Sequence, residues 1–212
     1  MSDSPNQIPN SAKLLAKKIF DLIKNTTENK PVIAISGESG SGKTTLATAL
    51  ASVLHQHGYK TTILHLDDYF YLPPKTNELA RKKNIKQVGP QEVNLNLLQS
   101  HVQAFKYGIP HITKPKVIYS ENKFVTETLD FTRTKVLIVE GTYTFDLQGI
   151  DLKIFIDLDY HQTEKRRIKR GREAIDQFLN QVLEIEHQII SRYKSRADLI
   201  VTENNNLKIY LT

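Results

Sequence analysis

The sequence predicts an α/β fold in three layers: a mainly parallel sheet with helices on both faces, and a β-hairpin insert. Three observations predict it. Apolar runs of strand length recur at 31–36 (PVIAIS), 60–66 (KTTILHL), 135–139 (KVLIV) and 153–157 (KIFID), and continuous runs of this kind belong to strands buried on both faces. Between them lie segments with apolar residues at helical spacing, so strand and helix alternate along the chain. The first run leads at once into a glycine-rich loop and a helix-like stretch, 45–57, which carries Leu46, Leu50 and Leu54 and is closed by Gly58.

A chain of 212 residues is long enough to bury one proper core, and a single domain spanning 1–212 is expected. Residues 1–10 are polar and expected to fray, whereas 11–25 sets Leu14, Leu15, Ile19, Leu22 and Ile23 along one side of an amphipathic helix that should pack against the sheet edge. The basic stretch 76–86 reads as a short helix or a loop. Residues 90–107 carry Leu97, Leu98, Val102 and Phe105 at helical spacing, with Asn94 or Asn96 as cap and Gly108 and Pro110 as the stop. In 111–132 two strand-like runs flank Ser120-Glu121-Asn122-Lys123, which predicts a hairpin standing off the main sheet beside a substrate. A long helix late in the chain should bury Ile175, Phe178, Val182, Ile185 and Ile189, and strands at 198–201 and 207–211 close the fold.

Composition narrows the function. The absence of Cys excludes a disulfide framework and a thiolate metal site and suits a reducing compartment, so a cytoplasmic protein is expected. No apolar stretch reaches membrane-spanning length and no signal peptide is indicated, so no membrane partner is expected. A net charge of +6 suits anionic ligands.

The chemistry centres on Gly37-Glu38-Ser39-Gly40-Ser41-Gly42-Lys43-Thr44, which fits the pattern Gly-x-x-x-x-Gly-Lys-Ser/Thr between a strand and a helix. Its glycines let consecutive backbone N–H groups turn onto phosphate oxygens, and the helix N-terminus adds partial positive charge. Lys43 reaches the outer phosphates, Thr45 continues the cradle, and Thr44 offers its hydroxyl to Mg²⁺. ATP or GTP with Mg²⁺ is therefore the expected cofactor. Glu140, at the end of the run 135–139, is the expected second metal ligand. Asp67, the first carboxylate after the run 60–66, can orient an acceptor hydroxyl and take its proton, and Asp68 follows it. Six cationic residues crowd 165–172, and such density repels itself unless an anion sits there. Arg166, Arg170 and Arg172 are therefore expected in a lid that closes over the phosphates.

Taken together, GESGSGKTT at Gly37, LDDYF at Leu66, GPQEVNLNLL at Gly89, VLIVEG with Glu140, IDLD at Ile156, RRIKRGR at Arg166 and RADLIV at Arg196 resemble the uridine kinase and phosphoribulokinase family of P-loop kinases. The resemblance runs from the cradle to the strand at 198–201. It implies a P-loop kinase fold and transfer of the γ-phosphate of ATP or GTP to a hydroxyl of a small molecule, with Asp67 as base and the arginine segment as lid. Uridine kinases typically carry Asp-His-Pro where this chain has Val88-Gly89-Pro90, and a Tyr-Asp-Phe motif where it has the His111-Ile112-Thr113-Lys114-Pro115 region. Their lid is also longer than Arg170-Gly171-Arg172 allows. The expected acceptor is thus a nucleoside or related hydroxyl compound, with Lys114, Lys116, Arg133, Arg166 and Arg170 available to a second anion on it. The alternative is a nucleotide-dependent switch or a nucleic-acid-stimulated ATPase. An Asn-Lys-x-Asp guanine motif and RNA-binding aromatic signatures are both missing, so no nucleic-acid partner is expected, while a homo-oligomer is compatible with the sequence.

Overall fold

The computed structural model describes residues 8–24, 30–171 and 176–210. Five strands run parallel: β1 (Val32–Gly37), β2 (Thr61–His65), β5 (Val136–Glu140), β6 (Leu152–Ile156) and β7 (Leu199–Val201). The edge strand β8 (Leu207–Ile209) is antiparallel to β7, and the order across the sheet is β2-β5-β1-β6-β7-β8. Parallel strands end on one edge, so Gly37, His65, Glu140 and Ile156 come together there.

Side chains alternate across β1 and feed two cores. Ile33 and Ile35 join a cluster beneath α1 (Asn10–Ile23) and α2 (Lys43–Gln56), while Val32 and Ala34 face a second cluster holding Leu98, Val102 and Phe105 of α4 (Leu95–Lys106). Three layers result, as expected. The helix α4 is capped as its sequence suggests, the Asn94 side chain accepting a hydrogen bond from the Leu97 N–H at 3.0 Å. The basic stretch after Pro73 is helical, α3 (Pro74–Lys83), with proline at its first turn.

Two helical faces differ from expectation. In α1 the buried set is Leu15, Ala16, Ile19, Phe20 and Ile23, with Leu14 and Leu22 exposed, because the helix packs on α2 in a core that both share with β6 and β7. Asn10 already opens this helix, and residues 1–7 lie outside those described. In α6 (Gln177–Ile190) the buried residues are Val182, Leu183, Glu186 and Ile190. Glu186 points inward because Arg81 of α3 donates to it at 3.0 Å, and an apolar count could not place a carboxylate there. Ile175 lies outside the described residues.

The hairpin β3 (His111–Ile118) and β4 (Lys123–Asp130) forms its own two-stranded sheet. It is held by a buried ion pair. Lys114 Nζ lies 2.5 Å from Asp68 Oδ2 and 3.3 Å from Glu127 Oε2, while Asp68 Oδ1 accepts the Val117 N–H at 2.9 Å. The Lys114 and Asp68 side chains are only 2% and 8% exposed. This corrects the expectation that Lys114 is available to a second anion, since its charge is consumed inside the fold. Removing one partner strands the other in low dielectric. Lys114→Met should therefore lower unfolding stability by about 3–5 kcal/mol in chemical denaturation, and a loss below about 1 kcal/mol would show that the pair does not seat the hairpin.

Candidate active site

The phosphate loop leaves β1 at Gly37 and enters α2 at Lys43, with Gly40 and Gly42 at φ 77° and 102°. Gly40 also makes room: a Cβ there would sit 2.9 Å from Arg167 Cγ. The start of α5 (Glu164–Arg170) presses on the loop at this point, with Thr163 Oγ1 donating to the Ser39 carbonyl at 2.8 Å. The buried Arg167 donates to the Tyr160 carbonyl and to Thr163 Oγ1, both at 2.6 Å. Arg166 reaches the loop itself, Nη1 donating to the Ser41 carbonyl at 3.3 Å. The first half of the expected lid thus already rests on the cradle. The side chain of Arg170 and the whole of Arg172 lie outside the described residues.

Glu140 reaches the loop because β5 lies between β2 and β1, in a register that sets it opposite both Ile35 and His65. Its buried carboxylate accepts from Thr44 Oγ1 at 3.1 Å and lies 2.6 Å from His65 Nδ1. Burial opposes charge on His65, but the hydrogen bond and charge of Glu140, with Asp68 and Asp67 nearby, outweigh it and raise its pKa. The next residue, Gly141, allows the crossing of the following segment. A Cβ on it would lie 2.2 Å from Leu66 Cβ, so only glycine lets the 3₁₀ turn Leu66–Tyr69 sit against the end of β5. That turn carries Asp67, exposed and accepting from Tyr119 Oη of the hairpin, and Asp68, buried on Lys114.

Asp67, Lys43, Thr44 and Glu140 line one cavity of about 220 Å³, together with Phe70, Asn77, Glu78, Arg81, Phe178 and Glu186. Arg81 is held by two carboxylates, Nε and Nη2 lying 2.6 and 2.8 Å from Glu92 and Nη2 lying 3.0 Å from Glu186. A hydroxyl and a carboxylate side by side at the phosphate loop are hard oxygen donors that fit Mg²⁺, whose remaining positions are ordinarily filled by water and phosphate. Within the cradle, Ser41 Oγ is buried without a partner, as a group awaiting an anion would be. Glu38 departs from its expected place. Its carboxylate turns from the cradle to His187 Nδ1 of α6 at 2.6 Å, and only its backbone, whose carbonyl accepts from Lys43 Nζ at 2.9 Å, serves the loop.

Three other positions were expected nearby. Thr45 is exposed on the first turn of α2, and Lys116 pairs with Glu127 at 2.8 Å. Arg133 precedes β5, so the length of a strand separates it from Glu140. That corrects its expected position beside an acceptor. Arg81, Tyr119, His187 and His65 were not expected in the site. Of these only His65 had a sequence signal, its place on the strand before Asp67.

Comparison with known proteins now decides the lineage: the Phosphoribulokinase / Uridine kinase family pattern matches residues 32–209. The chain belongs to this family. It is 31% identical over 207 residues to the bifunctional alpha-galactosidase/sucrose kinase AgaSK of Mediterraneibacter gnavus, covering 91% of this chain and 22% of that longer protein. It is 30% identical over 190 residues to a uridine kinase of Staphylococcus epidermidis, covering 84% of this chain and 90% of that one. The fold matches a possible uridine kinase from Bacillus stearothermophilus, with TM-score 0.62, 17% identity and coverage of 90% and 97% of the two chains. It also matches phosphoribulokinase from Rhodobacter spheroides, with TM-score 0.63, 15% identity and coverage of 84% and 73%. The chain is a phosphotransferase with a hydroxyl acceptor, and the switch or ATPase alternative is not favoured. Among the described residues no helix is long and apolar enough to cross a membrane.

The Glu38–His187 pair ties α6 to the loop and titrates. Its hydrogen bond to Glu38 raises the His187 pKa above 6.5, and burial raises that of Glu38 above 4.5. Both groups hold their protons more tightly folded than unfolded, so both shifts make stability fall as pH rises. The His187 contribution is full below pH 6.5 and is lost as pH climbs through the folded value. Thermal melts from about pH 6 to 8 should show a falling midpoint that His187→Gln flattens. An unchanged slope in the variant would remove the pair from the account.

Proposed function

We propose that the chain phosphorylates a hydroxyl of a neutral, polyhydroxylated acceptor, a sugar or sugar-like polyol, at the expense of ATP or GTP with Mg²⁺. The observation that carries this reading is the cavity shared by Asp67, Lys43, Thr44 and Glu140, whose described lining holds five carboxylates against three cations. Lys43 belongs to the phosphates, Arg81 is neutralised by Glu92 and Glu186, and Lys75 is exposed at the rim. Among the described residues, an acceptor with its own anion would meet Asp67, Glu78 and Glu186 with these three cations alone to set against them. Sugar hydroxyls make strong hydrogen bonds to carboxylates, and the rings of Phe70 and Phe178 offer surface to the C–H faces of a sugar ring. At about 220 Å³ the cavity is smaller than the ~300–1,000 Å³ of drug-sized sites, which suits a compact acceptor. The sucrose kinase named among the relatives supports this class.

In this reading Asp67 is the general base. The Tyr119 hydroxyl fixes its carboxylate, leaving it to orient the acceptor hydroxyl and take its proton as the bond to phosphorus forms. Lys43, the loop N–H groups and Arg166 hold the phosphate oxygens, and Thr44 and Glu140 would hold the metal. When bound, Mg²⁺ neutralises charge on the β- and γ-phosphates. Asp67→Asn should lower kcat by about 10²–10⁴-fold with nucleotide affinity little changed, as read by steady-state kinetics beside nucleotide titration. A comparable fall at a correctly folded Asp68→Asn, with Asp67→Asn active, would reverse the roles.

The uridine kinases among the relatives favour a nucleoside as the competing acceptor. A panel of neutral mono- and disaccharides including sucrose, their phosphates, glycerate, uridine and cytidine decides between them. Neutral sugars should lead in kcat/KM by about 10²-fold. A phosphorylated sugar, or uridine above roughly 10⁴ M⁻¹s⁻¹, in the lead would overturn the proposal.

A further inference from the structure

We propose that α1, which lies outside the span matched by the family pattern, forms one wall of the subsite for the nucleotide's purine base. The inference rests on the nucleotide reading above and adds to it where the base goes. Lys43 and Thr44 line two cavities, not one. The first holds Asp67. The second, of about 600 Å³, runs from Gly40–Thr45 to the first turns of α1 and the β7–β8 turn. In-line phosphoryl transfer sets the acceptor and the leaving oxygen on opposite faces of the moving phosphorus. With the acceptor beside Asp67, the rest of the nucleotide must lie in the second cavity.

Its chemistry fits that occupant from end to end. Among the described residues no carboxylate lines it, and its loop end carries Lys43, Arg166 and Lys169, as a polyphosphate requires. Its far end is walled by Ala12 and Leu15 of α1 against Val201 of β7, which suits the faces of a flat, weakly polar ring. Asn205, at φ 55° on the tip of the β7–β8 turn, lines the same end with an amide that both donates and accepts, as a purine edge does. The helix is fixed in this role, since Leu15, Ile19, Phe20 and Ile23 are buried in the core it shares with α2. The matched family span begins at residue 32, whereas α1 ends at Ile23, so this wall lies outside the span that the family pattern matches.

The test separates phosphate from base. Isothermal titration of the full chain with Mg²⁺ and either a non-hydrolysable ATP analogue or inorganic tripolyphosphate is repeated on Ala12→Trp, whose indole would occupy the base end. The ATP analogue should bind about tenfold or more weakly to the variant, and tripolyphosphate within about twofold of wild type. Equal weakening of both ligands, or of neither, overturns the proposal. If Ala12→Trp melts early, Asn205→Trp on the opposite wall carries the same comparison with the same two outcomes. Wild-type protein that binds neither ligand would sink the nucleotide reading itself, whereas tripolyphosphate binding with an unaltered ATP response in the variants sinks only the role of α1.

Discussion

Thr44 and Glu140 are 96 residues apart in sequence and meet at the C-terminal edge of the sheet, where the hydroxyl of one donates to the carboxylate of the other. Much of the architecture follows from that contact. It requires β5 to lie directly beside β1, which the crossover order β2-β5-β1 provides. Once β5 is there, β2 becomes its outer neighbour, so that His65 falls opposite Glu140 and the turn bearing Asp67 begins one residue later. Gly141 completes the constraint, since any side chain there would collide with Leu66 and push Asp67 away from the loop.

This division explains what was legible in the sequence. The cradle with Thr44, Glu140 and Asp67 all lie at a strand's C-terminal end or in the turn or helix that starts from it, where a local run of apolar residues fixes both the element and the direction of its end. What could not be read depends on pairing between distant segments. Lys114 sits in a hairpin whose own pattern is ordinary, and nothing near it in sequence announces that Asp68 will bury its charge. The face of α6 was displaced in the same way. A helix scored by its apolar residues alone leaves Glu186 outside, yet Arg81 draws it in. His187 escaped notice because its partner, Glu38, is 149 residues distant in the loop.

Two cations held by paired carboxylates, Arg81 and Lys114, share one consequence. Arg81 joins α3 to α6 through Glu92 and Glu186, and Lys114 joins the hairpin to the turn holding Asp67 through Asp68. Ion pairs this deep contribute little net stability compared with apolar packing of the same volume, because desolvation offsets most of the attraction. They do specify geometry, since each charge has few places where it is satisfied. Here they set the separation between the hairpin, α3 and α6, which are the walls of the cavity facing Asp67. The same pairing removes their charge from the ligand's reach. A chain that looks basic in sequence, at +6 overall, therefore encloses beside Asp67 a cavity in which, among the described residues, carboxylates outnumber cations. On the other side of Lys43, Arg166 and Lys169 line a cavity in which no acidic residue stands among the described residues. Segregation of this kind favours a polyanion on one side of Lys43 and disfavours a second one on the other, which is the charge pattern the proposed function calls on.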